Sequence, residues 1–453
     1  MAKHVDFTKG NIASSLISFA LPVFLAMLLQ SLYGAVDLFI IGRFGSSAGV
    51  SAVSTGTQAM WAVTVLVTGL ASGVTVLAGN RLGQKKNEEA GRIIAESIVF
   101  FLFISVVATV LMEVAVPLLV RVLHVPEEAL PETIGYLRIC GGGLLAITAY
   151  NLIGSIFRGI GDSKVPLLTV AMAAGVNVIG DLVLVRVFHL GAYGAAIATV
   201  FAQLFSVVVS LLIIRHRTLP FVFKKEDIRL NWNTNRQIFR VGFPIGLQDM
   251  LISFSFLFLL TIVNSRGLVD SAGMGIAERV CGFMMLLPSA FSQSLSVFVA
   301  QNNGAGKLDR AQKGLGIGIA MSFLISLVVF YGTFFHGDFF CGLFTSDQTV
   351  ADAGWSWLKA YAIDSMLTAF HFCYSGYFSG REKTIFVMMQ GTLSSFLVRI
   401  PVAYLMSRIP GSTLFQIGWG IPISSLTQIV VCTIYFLFLT RRDKENGKAN
   451  LPV

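Results

Sequence analysis

The sequence predicts an all-α integral membrane protein, with twelve transmembrane helices arranged as two pseudo-symmetric six-helix bundles. Three observations predict it. The 453 residues are 55% hydrophobic and only 13% charged, with a mean hydropathy of +0.76. A soluble domain carries roughly 25% charged residues, so this chain lacks the polar surface that water demands. Apolar runs longer than about 18 residues recur along its whole length, the length a helix needs to cross a bilayer. They are continuous, with no alternation of about ten residues, which selects helices over a membrane β-barrel.

Twelve runs follow in order: 15–41, 48–79, 93–119, 134–157, 165–188, 192–214, 238–264, 272–300, 314–335, 353–378, 385–406 and 415–439. The first is too long for a signal-peptide core and has no small-residue cleavage site, so it reads as a retained span. Basic residues collect in alternate loops. Lys3, Lys9, Arg81, Lys85, Lys86, Arg92, Arg158 and Lys164 fall on one face. So do seven between Arg215 and Arg240, then Lys307, Arg310, Lys313, Arg381, Lys383 and the four from Arg441 to Lys448. That face holds about 24 of the 33 lysines and arginines, which by the positive-inside rule makes it cytoplasmic. Both termini are therefore expected in the cytoplasm, with the chain in the cell inner membrane. The net charge of +9 is accounted for by this orientation against anionic lipid, and no nucleic-acid partner is expected.

The longest polar interruption, 215–237, separates six spans from six. It divides the chain into an N-terminal lobe (1–214), an amphipathic cytoplasmic linker (215–237), a C-terminal lobe (238–440) and a polar tail (441–453). The halves repeat one another. Pro22 corresponds to Pro244, Gly83-x-x-Lys86-x-x-x-Ala90 to Gly304-x-x-Lys307-x-x-x-Ala311, and Phe157-Arg-Gly159 to Phe378-Ser-Gly380, at offsets of 221 or 222. Six spans is an even number, so both halves enter the membrane from the same side. Parallel repeats of this kind place a substrate cavity between the halves of a transporter and give alternating access by rocking. Duplication kept only for packing is the plainer alternative.

Ionisable groups within spans are costly and mark function by default. Asp37 lies in span one with Tyr33 one turn before it on the same face. Asp181 lies in span five, with Asn177 again one turn before it. Thr199 in span six and Asn151 in span four add a hydroxyl and an amide. Two carboxylates gathered in a low-dielectric medium resist being ionised together, so such a pair can take a proton at one face and lose it at the other. A single aspartate could instead only bond across a helix interface. The second half carries Gln248 and Asp249 in span seven, Glu278 and Arg279 in span eight, Asp364 in span ten and Arg399 in span eleven. These suit a cationic substrate, a second ion or a structural ion pair. The five cysteines and the isolated histidines show no metal spacing. No Walker A, nucleophile-elbow or zinc-protease signature is present, so no cofactor and no enzyme activity are expected.

Several stretches together resemble the multidrug and toxic compound extrusion (MATE) family. They are 21–45 (LPVFLAMLLQSLYGAVDLFIIGRFG), the loop GQKKNEEA, 157–166 (FRGIGDSKVP), Asn177-x-x-x-Asp181, 300–311 (AQNNGAGKLDRA) and 397–401 (LVRIP). The likeness runs from about residue 10 to 440. It implies a V-shaped pair of six-helix bundles acting as a monomer. It also implies export of amphiphilic, often cationic, drugs in exchange for H⁺ or Na⁺. Asp37, Asn177, Asp181 and Thr199 match the family's N-lobe cation cluster, with Tyr33 and Asn151 beside it. The acids of the sodium-coupled branch would fall near Ile252 and Thr368, which are not acidic here, and this favours proton coupling through the N-lobe. A flippase for lipid-linked precursors, of the same superfamily, is the alternative. Its phosphate-bearing cargo would call for several intramembrane Arg or Lys, and the sequence has two, Arg279 and Arg399.

Overall fold

The computed structural model describes residues 6–449, with side chains through 445; Lys3, the side chain of Lys448 and residues 450–453 lie outside what is described. The helices are α1 (Ile12–Phe44), α2 (Ser47–Gly83), α3 (Asn87–Val122), α4 (Leu130–Gly142), α5 (Leu144–Gly159), α6 (Lys164–Asp181), α7 (Gly191–Arg215) and α8 (Trp232–Asn264). There follow α9 (Leu268–Met284), α10 (Leu286–Gly304), α11 (Leu308–Phe335), α12 (Gly337–Gly342), α13 (Gln348–Gly380), α14 (Thr384–Ser394), α15 (Ile400–Ser407), α16 (Leu414–Gly418) and α17 (Gly420–Ala449).

Ten helical stretches among the described residues are long and apolar enough to cross a membrane. The pair α4 and α5, bent by 50°, makes an eleventh. The run expected at 353–378 is α13, 33 residues long, with Lys359, Asp364, His371 and four serines within it. A helix of that length reaches about 50 Å, ample for a bilayer, and its polar groups make it the least apolar of the twelve. Large side chains turned outward confirm the medium: Val106, Val110, Leu111, Val114 and Leu118 of α3 are all more than half exposed. The chain is a multi-pass membrane protein.

Two compact units emerge. Unit 1 comprises Met1–Met250, Ser296–Gln312 and Ser379–Thr384, and unit 2 comprises Leu251–Leu295, Lys313–Phe378 and Ile385–Val453. Unit 1 extends past the polar connector at 215–237 for a packing reason. The first half of α8 lies against α2 with backbone on backbone, where a Cβ on Gly69 would strike Gly246 and one on Gly73 would strike Gly242. The segment 215–237 follows unit 1 as well. Arg217 pairs with Asp162 at 2.6 Å, and the Asn231 amide donates to Glu96 at 2.9 Å.

Ahead of α1 a short strap is docked on unit 1. Phe7 is fully buried, its ring 5.3 Å from Phe19 and 5.6 Å from Phe298. Its N–H donates to Gln301 Oε1 at 3.3 Å. Its carbonyl accepts from Asn302 Nδ2 at 3.1 Å and Arg310 Nε at 3.0 Å.

Candidate functional site

The interior of unit 1 gathers the sequence-predicted cluster. Asp37 and Tyr33 come from α1, Asn177 and Asp181 from α6, and Thr199 from α7. Helix α6 packs against both neighbours, and the approach to α7 is close: a Cβ on Gly180 would stand 3.0 Å from Ala198. Immediately after Asp181 the backbone changes to a π-helical turn, Leu182–Val187. Such turns recur at functional sites, where they re-aim side chains and leave the helix ladder irregular.

The Asp37 and Asp181 carboxyl groups lie within hydrogen-bonding reach of one another. Two ionised carboxylates only accept, so this contact becomes a bond when one oxygen carries a proton. No other partner serves Asp37 Oδ1, either oxygen of Asp181, either polar atom of Asn177 or Thr199 Oγ1, all of which are buried. Asn177 and Asp181 are each 1% exposed. An unsatisfied buried polar group costs about 1–3 kcal/mol. Several in one place make a polar spot that packing alone does not explain. Asn177 and Thr199 border a small cavity of about 10 Å³, room for a single water or ion, lined also by Tyr33, Tyr150 and Gln203.

Asn151 is placed differently from the others. Its Oδ1 accepts from Thr68 at 3.1 Å and its Nδ2 donates to the Ile147 carbonyl at 2.8 Å. Both its polar ends are thus occupied within α2 and α5. Gln203 was not singled out from sequence, although it follows Thr199 by one turn, and its Oε1 is another buried atom without a partner. Tyr150, beside Asn151 in sequence, was also missed.

Gln248 and Asp249 fall on α8 in unit 1. The remaining acids form a separate group in unit 2. Glu278 of α9 accepts from Trp357 Nε1 at 3.0 Å and from the Tyr361 hydroxyl at 3.0 and 3.1 Å. Asp364 of α13 is buried and bonds to Ser425, while its Oδ1 has no partner. Arg399 ends a second π-helical turn, Ser395–Arg399. It donates to Ser255 Oγ at 3.0 Å and lies 4.5 Å over the Phe256 ring. Its charge acts on Glu278, Asp364 and the buried His371. At the repeat offset of 221 or 222, Arg399 falls in the stretch that corresponds to the Asn177 region of the first half. The two stretches differ in chemistry: an amide near two acids in one, and a cation near two acids in the other.

Among the described residues no group of three or more metal-ligating side chains is formed.

Helices, spans and duplication define a multi-pass transporter fold built from a repeat. The MatE family model matches residues 22–183 and 244–405, together well over half of the chain, and the two matches are offset by 222, the repeat read from the sequence. The chain belongs to the MatE (multidrug and toxic compound extrusion) family of membrane transporters. It is similar to the probable multidrug resistance protein YpnP of Bacillus subtilis, at 25% identity over 437 residues covering 96% of this chain and 97% of that one. It is similar also to the multidrug export protein MepA of Staphylococcus aureus, at 23% identity over 446 residues and 96% of each chain. Among solved structures, a MOP superfamily transporter from Pyrococcus furiosus, described as having a binding pocket of reversed polarity that suggests a different function, superimposes with a TM-score of 0.92. That match covers 98% of this chain and 99% of the other at 20% identity, and it establishes the shared fold.

Proposed function

We propose that the chain is a secondary active exporter of amphiphilic, often cationic, organic compounds, driven by proton exchange at the Asp37–Asp181 pair. One observation carries the reading. The half-buried Asp37 carboxyl and the buried Asp181 carboxyl lie within reach of one another, and polar atoms of Asn177, one turn from Asp181, and of Thr199 on the adjoining α7 have no protein partner. Such a group binds a proton without competing with an internal salt bridge, and losing it reorganises α1 against α6. The names of the relatives, multidrug resistance and multidrug export proteins, support the substrate class. Coupling then requires that proton and drug each change the affinity for the other, by the same factor.

In this reading Tyr33 borders the proton site, Gln248 and Asp249 are the candidate drug contacts of unit 1, and Asp364 is, separately, that of unit 2. Glu278, fixed by Trp357 and Tyr361, shapes the neighbouring surface. The protein acts as a monomer in the cell inner membrane with both termini cytoplasmic, an orientation supported by the distribution of lysine and arginine. The flippase alternative is less supported, because acids outnumber bases among the buried groups of the spans. The test is efflux of a fluorescent lipophilic cation from proteoliposomes under a pH gradient and, separately, a sodium gradient. Efflux driven by the pH gradient and abolished in Asp37→Asn and Asp181→Asn is expected. Sodium-driven efflux that survives both substitutions would overturn the reading.

A further inference from the structure

Unit 1 holds a second cavity, of about 580 Å³, which plays no part in the proton exchange described above. The two copies of the duplicated Gly-x-x-Lys loop build it. Gly83, Gln84 and Lys85 come from the first copy and Gly304, Ala305 and Lys307 from the second; Asp6, Thr8 and Lys9 of the strap contribute another wall.

The loops meet because glycine lets backbone touch backbone. A Cβ on Gly83 would overlap the Gln301 carbonyl oxygen, and one on Gly304 would overlap the Asn80 carbonyl oxygen. The two contacts are images of one another, since both Asn80 to Gln301 and Gly83 to Gly304 are steps of 221. The crossing thereby brings both lysine-bearing loops to one cavity.

Its charge is unbalanced. Asp6 is the one carboxylate in the lining, and it is engaged: its Oδ1 accepts from the Thr8 N–H at 3.0 Å and hydroxyl at 2.6 Å, and its Oδ2 lies 3.7 Å from Lys9. Lys307 donates to the Thr8 carbonyl at 2.8 Å, which leaves two of its three N–H groups. Among the described residues Lys85 has no ion pair. Its backbone is also unusual. Lys85 has φ 61°, while the equivalent position of the second loop is Gly306, with φ 69°. Glycine takes that conformation freely and a residue with a side chain does not. Backbone strain of this kind points toward a functional constraint. Helix α3 begins at Asn87, also in the lining, and its N-cap Lys86 supplies no side-chain acceptor. The acids of that first turn are already paired, Glu88 with Lys224 and Glu89 with Lys86 and Arg81.

We infer that this cavity binds a phosphate-bearing anion between Lys85 and Lys307, with Lys9 as a third cation, and that the bound anion holds the two loops in their crossed arrangement. Charge-assisted bonds from two lysines on separate repeats favour the arrangement that brings them together. The phosphate comes either from an anionic phospholipid headgroup or from a soluble species. That the site faces the cytoplasm rests on the orientation proposed above.

The full-length protein in phosphatidylcholine nanodiscs is titrated with inorganic phosphate at constant ionic strength. In a parallel series phosphatidylglycerol replaces part of the lipid. Unfolding temperature and bound mass by native mass spectrometry are read in both. A saturable rise with inorganic phosphate identifies a soluble anion, and a rise with phosphatidylglycerol alone identifies a headgroup. Lys307→Gln should weaken the response about tenfold in affinity. Lys85→Gly should weaken it similarly while leaving the unliganded unfolding temperature at or above that of the unaltered protein, because glycine relieves the left-handed backbone. No response to either ligand, or an equal response in both variants, overturns the proposal. Because the readout is binding, this outcome is separate from whether drug transport is proton-driven.

Discussion

Asp181→Asn should leave the protein at least as stable as before and abolish its coupling. The two side chains have nearly the same shape, so packing against α1 is retained. Asp181 places two carboxylate oxygens in the interior with no partner beyond the Asp37 carboxyl. An asparagine there supplies N–H donors to Asp37, and a hydrogen bond to a charged group contributes about 1.5–3 kcal/mol. Relief of an unsatisfied buried acceptor adds in the same direction. The unfolding temperature should therefore rise by roughly a few degrees. The amide cannot exchange the shared proton, so pH-driven efflux of a lipophilic cation should fall to the rate seen without a gradient. The assay is thermal unfolding and proteoliposome efflux on one preparation. A variant that unfolds several degrees lower refutes the premise that these oxygens are unsatisfied. A variant that retains gradient-driven efflux refutes the role of the pair. Sites that lose stability to function in this way are expected where activity needs strained or unpaired groups.

Other consequences are equally open to test. Gly304→Val places side-chain atoms on the Asn80 carbonyl and should lower the unfolding temperature by the equivalent of about 1–3 kcal/mol or more; wild-type stability would show that the crossing is not close. Phe7→Ala empties the space between Phe19 and Phe298. Burial of a phenylalanine contributes about 3–5 kcal/mol in a core, and because the strap lies outside the helices the loss should appear as local release, read as faster proteolysis before α1 with little change in global unfolding. Glu278→Gln replaces a charged acceptor of the Trp357 and Tyr361 bonds by a neutral one and should cost about 1 kcal/mol, with a shift in tryptophan emission reporting the altered bond. At Asp6, burial pushes the carboxyl up, but the two bonds from Thr8 and the charges of Lys9 and Lys307 outweigh it, and the group lies below its ordinary value of 3.8. A lowered carboxyl stabilises the fold above its unfolded value and loses that contribution as pH falls through the folded one. Protection of the strap in hydrogen exchange should thus hold from neutral pH to about 4 and decline only below it; a decline near pH 6 would contradict the assignment.

The spans were legible because bilayer insertion is a one-dimensional constraint: apolar length and flanking charge place each helix. The Asp37–Asp181 pair was legible because a polar residue one turn away doubles the signal of each buried acid. Gln203 carried that same one-turn signal relative to Thr199 and was passed over, since glutamine is a weaker anomaly than aspartate in a span. Asn151 stood out for its polarity, yet Thr68 and Ile147 satisfy it; sequence cannot distinguish a bonded amide from an open one. Glu278 reads as an isolated acid until folding brings Trp357 and Tyr361, 79 and 83 residues away, onto its oxygens. Polar linkers announce themselves by composition, whereas the contacts that draw the first half of α8 and residues 296–312 into unit 1 depend on missing side chains at Gly69, Gly73, Gly83 and Gly304.

Coupling is most directly tested by counting protons. The purified protein, in weakly buffered detergent solution near neutral pH, is mixed with a saturating lipophilic cation while the solution pH is followed. The account predicts release of protons on binding, lost in Asp181→Asn, together with an affinity for the cation that strengthens as pH rises. Binding of the cation with no proton release and no pH dependence would contradict exchange at the Asp37–Asp181 pair.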